Sequence, residues 1–277
     1  PSSQTMAKAS PPLAQAVPLA ELAEITLDDA KRDAAAIKIS ADLIRTAKVQ
    51  IAFLRSVDEV PELYQPAIAT MAIQRYEHCW LPLLAANEGA GPLAPPLDVE
   101  WAWHCHMLCP TVYATDCAGV VGRTLDKTHF PTSQHRRGAT ENARKLWTSA
   151  YPDIPFDLHL HFAPGMSAKQ WPASRLQYPL VDAIGRQQVF YFQVSPPHFQ
   201  HDIFLAKALE RYKRFLYMMK MQQGTGLTIP MYDIDLMWHA HQMHPLAYAA
   251  DTTAVLGKVA AHDDTINDRT AGSTLET

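Results

Sequence analysis

One stretch of this chain occurs twice. Asp98 to Gly122 reads DVEWAWHCHMLCPTVYATDCAGVVG, and Asp233 to Gly257 reads DIDLMWHAHQMHPLAYAADTTAVLG, at a constant offset of 135. Ten of the 25 aligned positions are identical: Asp98/Asp233, Trp103/Trp238, His104/His239, His106/His241, Pro110/Pro245, Tyr113/Tyr248, Ala114/Ala249, Asp116/Asp251, Val120/Val255 and Gly122/Gly257. Glu100 becomes Asp235, and Cys109 becomes His244, so one ligand-type side chain replaces another. A repeat on this scale points to two similar supersecondary units sharing one core, not to a chain of unrelated segments.

The flanks of the box follow the same plan. A helical pattern runs from about Thr26 to Leu54, and a second from Pro66 to Ala86, in which Pro82 predicts a kink or an early end. Gly89 to Pro96 (GAGPLAPP) stops it. Asp98 reads as an N-cap, with Glu100 in the first turn. The short helix that follows ends near Cys109, since Pro110 disfavours helix in the residue before it and opens a new helix. That helix carries Tyr113 and Asp116 as packing and hydrogen-bonding residues, and Gly122 closes it as a C-cap. In the second copy a helix over Asp202–Gln222 brings Arg211-Tyr212 to answer Arg75-Tyr76, at an offset of 136. One residue is therefore gained or lost before the box.

Between the copies, Pro155 to Phe162 (PFDLHLHF) alternates with period two, and Gln188 to Val194 (QVFYFQV) is rich in strand formers. The expected fold is mainly α: an internally duplicated helical repeat in two halves, with a small β-hairpin or sheet between them. In residue ranges this gives a loosely held arm over 1–25, a first helical half over 26–150 with its box at 98–122, and a β-containing connector over 151–200. A second helical half over 201–260 with its box at 233–257, and a polar tail over 261–277, complete the chain.

On a helical wheel Glu100 and His104 share a face one turn apart, bordered by Trp103, and Asp235 and His239 share the matching face of the second copy. A carboxylate and an imidazole among apolar neighbours are costly to bury alone, so each box pairs them or gives them to a metal. If the halves meet about a pseudo-twofold axis, two carboxylates and two imidazoles converge, a set that suits a divalent metal such as zinc, iron or manganese. Glu100, His104, Asp235 and His239 are thus the candidate catalytic and metal-binding residues. His106 and His241 are further ligand-type residues, pointing roughly 200° away from the first His on an ideal helix.

Asp157, His159 and His161 would share one strand face, a separate metal candidate for which an exposed polar face is the plainer account. His262-Asp263-Asp264, in the polar tail, reads first as a solvated acidic cap. A net charge of −4 with no Lys/Arg-rich run argues against nucleic acid. The absence of an 18-residue apolar run argues against a membrane span. No Gly-rich phosphate loop, nucleophile elbow or Cys-x-x-Cys pair occurs, so no nucleotide cofactor is expected. Four Cys make no disulfide scaffold, and the N-terminus lacks a secretory layout, which together point to the cytoplasm.

At the duplicated box the chain resembles the glycine-rich domain-containing protein-like family of plants and fungi, whose mark is a repeated Asp-x-Glu/Asp…Trp-His-x-His-x-x-x-Pro-x-x-Tyr-x-x-Asp pattern. LWTSAYPDIPFDL (Leu146 to Leu158) and the Arg-Tyr helix are similar to the family as well, so the resemblance spans roughly residues 30–265. It implies association with growth and stress responses and brings no settled reaction. The chain's 11 Gly leave out the glycine-rich segment that names the family. Two functions follow as expectations. One is a metal-dependent enzyme of lyase, hydrolase or cyclase type, acting on a small-molecule substrate at a His/carboxylate site between the halves. The other is a non-catalytic stress-response or interaction scaffold with a protein partner, in which the boxes are structural pins.

Overall fold

The computed structural model of the chain describes residues 26–158, 170–222 and 229–263. Its elements are helices: α1 (Leu27–Ala36), α2 (Leu43–Asp58), α3 (Pro66–Arg75), α4 (Leu81–Ala86), α5 (Leu97–Met107), α6 (Pro110–Val121), α7 (Ser133–Ala150), α8 (Leu180–Val194), α9 (Asp202–Gln222), α10 (Tyr232–Gln242) and α11 (Pro245–Leu256). Short 3-10 turns at Pro61–Tyr64 and Pro197–Gln200 follow α2 and α8.

The expected β-hairpin is absent among the described residues. Gln188–Val194 is the C-terminal half of α8, and the controlling signal is a stripe that begins upstream. Leu180, Ala183, Ile184, Gln187, Phe190 and Val194 are all buried, at helical spacing. Burying that face overrides the strand preference of the aromatic residues. Pro155 to Leu158 carries no strand, and His159 and His161 lie outside the described residues. Asp157 is bound by Arg144. The single helix expected from Thr26 to Leu54 is two, broken at 37–42 and restarted by Asp42, whose carboxylate caps Arg45 N–H.

Pro82 acts differently from a simple break. Residues Tyr76–Trp80 form a π-turn between α3 and α4, with Leu81 N–H bonding back to Tyr76 C=O. A proline lacks the N–H and crowds the carbonyl four residues back, and widening the helix by one residue relieves both. A π-turn is a one-residue insertion, which matches in sign and size the step from offset 136 to 135. At the box, Pro96 caps α5, so Asp98 lies inside the first turn and is not the cap. Gly122 and Gly257 end α6 and α11 at φ 83° and 75°, the left-handed conformation that glycine adopts without penalty.

Aligned on the box, the repeat is longer than sequence identity suggests: α2, a 3-10 turn, α3 to α4, α5 and α6 match α8, a 3-10 turn, α9, α10 and α11 in order. The leading helices are exchanged. α2, from the first copy, packs against α9 and α10 of the second, and α8 packs against α3 and α5 of the first. The exchange is written in hydrogen bonds too: Ser40 N–H donates to Asp251 (2.7 Å), and Gln177 N–H donates to Asp116 (2.9 Å).

The segments after each box also cross over. His129 Nε2–H donates to Met243 C=O (3.0 Å), and His262 Nδ1–H donates to Leu108 C=O (2.7 Å), the matching carbonyls at the ends of α10 and α5. A cavity of about 90 Å³ lies between α6 and α11, lined in equivalent pairs that include Pro110/Pro245, Tyr113/Tyr248 and Ala114/Ala249. The copies therefore meet about a pseudo-twofold axis over one continuous hydrophobic core.

Candidate metal centre

Each box first builds a scaffold of buried polar contacts. Arg75 Nε donates to Asp98 (2.7 Å), and its two terminal nitrogens donate to Pro155 and Phe156 C=O, joining α3, α5 and the loop after α7. Arg211 pairs with Asp233 in the second copy. Trp103 Nε1–H donates to Tyr113 Oη (3.0 Å), which donates to Leu125 C=O (2.7 Å). Trp238, Tyr248 and Ala260 repeat the chain at 2.8 and 2.9 Å.

The second His of each box is enclosed in the same way. His106 Nε2–H donates to Asp116 (3.2 Å), which leaves Nδ1 to accept from Tyr76 Oη (2.9 Å). His241 sits between Tyr212 (3.0 Å) and Asp251 (3.2 Å) in the same manner. Both rings have both nitrogens engaged and are fully buried. Burial lowers the His241 pKa to about 4 against the pull of Asp251. These rings tie the Arg-Tyr helices to the box helices.

The first His of each box is placed otherwise. Glu100 takes Lys127 (Nζ to Oε1, 3.0 Å) and Arg136 as its partners. Burial alone would raise its pKa, but the two cations hold it down at about 2. His104 stacks on Trp101 and lies against Phe53. Its Nε2 is buried with no hydrogen-bond partner among the described residues. Burial, the Lys127 ammonium and His239 all keep this ring neutral.

In the second copy Asp235, His239 and His262 converge. His239 Nε2 is 3.3 Å from His262 Nε2, and Asp235 Oδ1 is 3.5 Å from each. Because Nδ1–H of His262 is donated to Leu108, its Nε2 lone pair faces the cluster. Phe190 and Trp238 wall the two rings. Burial raises the Asp235 pKa, but His239 and His262 outweigh it and keep the carboxylate ionised.

The structure thus brings Asp235 and His239 together as the wheel places them, and adds His262. His262 is absent from the expected set because it lies beyond Gly257, where identity between the copies lapses. The fixed offset still marks its position: 262 corresponds to 127, the residue that reaches Glu100 in the first copy.

A model of the glycine-rich domain-containing protein-like family matches the chain twice, over residues 13–116 and 113–251. The chain belongs to this family. Glycine-rich domain-containing protein 1 of Arabidopsis thaliana is 42% identical over 256 residues, covering 88% of this chain and 31% of that protein. Glycine-rich domain-containing protein 2 of the same plant is 42% identical over 257 residues, 88% of this chain and 32% of its own length. The chain therefore spans about a third of the length of these curated relatives. No solved structure matches it. The family assignment agrees with the resemblance carried by the Trp-His-x-His boxes, and a glycine-rich domain-containing protein-like chain is mainly helical in this structure. Among the described residues no helix is long and apolar enough to cross a membrane.

Proposed function

We propose that this chain is a metal-binding member of the family, with Asp235, His239 and His262 holding one divalent transition metal. The observation that supports it is the spacing of the three ligand atoms, 3.3, 3.5 and 3.5 Å. Without an ion the two rings are within reach of a long hydrogen bond, beyond the usual ~2.7–3.2 Å. Ligands bound at about 2.0–2.1 Å on the corners of a tetrahedron stand ~3.3–3.4 Å apart. Two imidazoles and a carboxylate are a donor set for zinc or non-haem iron. Three protein ligands leave a position for a small molecule, and Asp235, 19% exposed at its side chain, marks the side open to solvent.

Such a metal would supply Lewis-acid chemistry towards an oxygen-bearing substrate or a water. His104, buried and kept neutral in the first copy, feels His239 electrostatically, and with its protonation disfavoured it is given no proton-transfer role. The scaffold reading applies within the box to different residues: Tyr76–His106–Asp116 and its counterpart favour a structural role for the second His. The test is a cobalt(II) titration of metal-free protein followed by visible absorption. Intense d–d bands saturating at one equivalent, lost in Asp235→Asn and His239→Ala but kept in His104→Ala, support the reading. Weak bands that never saturate contradict it.

A further inference from the structure

Lys127 and His262 occupy one place in the repeat. Each stands two residues after the carbonyl, Leu125 or Ala260, that accepts from the box tyrosine, and each reaches the box carboxylate. In the first copy that contact is an ammonium 3.0 Å from Glu100; in the second it is an imidazole 3.5 Å from Asp235. The remaining walls correspond as well. Phe53 lies against His104 as Phe190 lies against His239. His104 Nε2, in the position of the ligand nitrogen His239 Nε2, is buried and has no hydrogen-bond partner among the described residues.

We infer that the first copy is a latent metal site, in which Lys127, seconded by Arg136, stands in for the metal. The inference rests on the metal reading of the second copy. A buried carboxylate needs a countercharge, and an ammonium provides a compact one with three donors but no coordination position. Lys127 therefore neutralises Glu100, holds the first copy together without metal, and leaves His104 with nothing to bind. The second copy has an imidazole there and gains a ligand instead of a charge. The identity of the residue at this one repeated position decides which copy takes the metal, and the chain carries a single metal for two boxes.

Two reciprocal variants test this. His262→Lys gives the second copy the first copy's cation, and Lys127→His with Arg136→Gln gives the first copy the second's donor set. Zinc and cobalt(II) alone are the probes, with bound metal counted after equilibrium dialysis and folding checked by circular dichroism. The expected counts are one per chain for the wild type, none for His262→Lys with the fold kept, and two for Lys127→His/Arg136→Gln. A folded double variant that still binds one metal overturns the inference while leaving the metal reading standing; a folded His262→Lys variant that still binds one removes His262 from the site and overturns both. If the double variant fails to fold, Lys127→His with Arg136 kept decides in its place: a second equivalent of bound metal supports the inference, and a folded variant that binds only one overturns it. A wild type that binds none removes the metal reading itself, and this inference with it.

Discussion

The backbone N–H of Ser40 donates to the carboxylate of Asp251, 211 residues further on. Gln177 does the same for Asp116, so the strand of chain that leads into each copy closes the Tyr–His–Asp contact of the other. Most of each leading helix covers the other copy, α2 on α9 and α10 and α8 on α3 and α5, although Phe53 and Phe190 also reach the first box His of their own copy. Fragments 26–158 and 170–263 should each remain unfolded when made alone, and should recover helical content when mixed. Circular dichroism and size-exclusion chromatography check this, and a cooperatively melting single fragment would contradict the exchange.

The two arginine–aspartate pairs should differ in weight. Arg75 and Asp98 are 1% and 3% exposed at their side chains, while Arg211 is 37% exposed. Removing one partner of a buried pair leaves an uncompensated charge, which costs about 3–5 kcal/mol. Arg75→Met should lower stability by that amount in urea unfolding, and Arg211→Met by about 1 kcal/mol or less. Equal losses would show that burial does not set their cost.

His106 and His241 hold the fold, whereas His239 and His262 hold the proposed ion. His106→Ala orphans Tyr76 Oη and Asp116 and opens a void, which together should cost about 3 kcal/mol or more. In a chain this long that corresponds to a melting temperature lower by roughly 6–12 °C. His262→Ala, at a site closer to solvent, should shift the metal-free melting temperature far less. Thermal melts in chelator compare the two, and the reverse ranking would contradict these roles.

Acid should loosen one contact between the copies. His129 and His244 stack with ring centroids 3.6 Å apart. Burial lowers the pKa of His129 to about 3, aided by His244, Lys127 and Arg45 against the pull of the Met243 carbonyl. Burial also lowers His244 to about 4, with Lys127 acting in the same sense and Asp42 and Asp251 opposing. Unfolded histidines titrate near 6.5, so between that pH and about 4 the unfolded chain holds more protons than the folded one. The stability contributed by these neutral rings is complete above pH 6.5 and falls as pH drops towards 4. Melting temperatures from pH 8 to 4 should show that fall, and His129→Gln/His244→Gln should flatten it.

The box was legible because its constraints are local. Pro110 and Pro245 restart helices, Gly122 and Gly257 end them, and a carboxylate four residues before a His shares its face. Three features were not. Strand-forming residues in α8 hid a helical stripe that starts at Leu180, outside the window in which they cluster. The exchange of α2 and α8 leaves no local trace, since periodicity shows which face is buried but not which copy covers it. His262 was masked because its equivalent is Lys127, and a cation in place of an imidazole removes the identity that exposed the rest of the repeat.

Asp235, His239 and His262 are proposed to form one metal centre. Its most direct measurement is metal content by plasma mass spectrometry, on protein purified without a metal-affinity tag and washed free of loosely held ions. Close to one transition-metal ion per chain is expected, falling to background in His239→Ala/His262→Ala that retains its circular dichroism spectrum. Background metal in the wild type, persisting after dialysis against zinc, iron(II) or manganese, would contradict it.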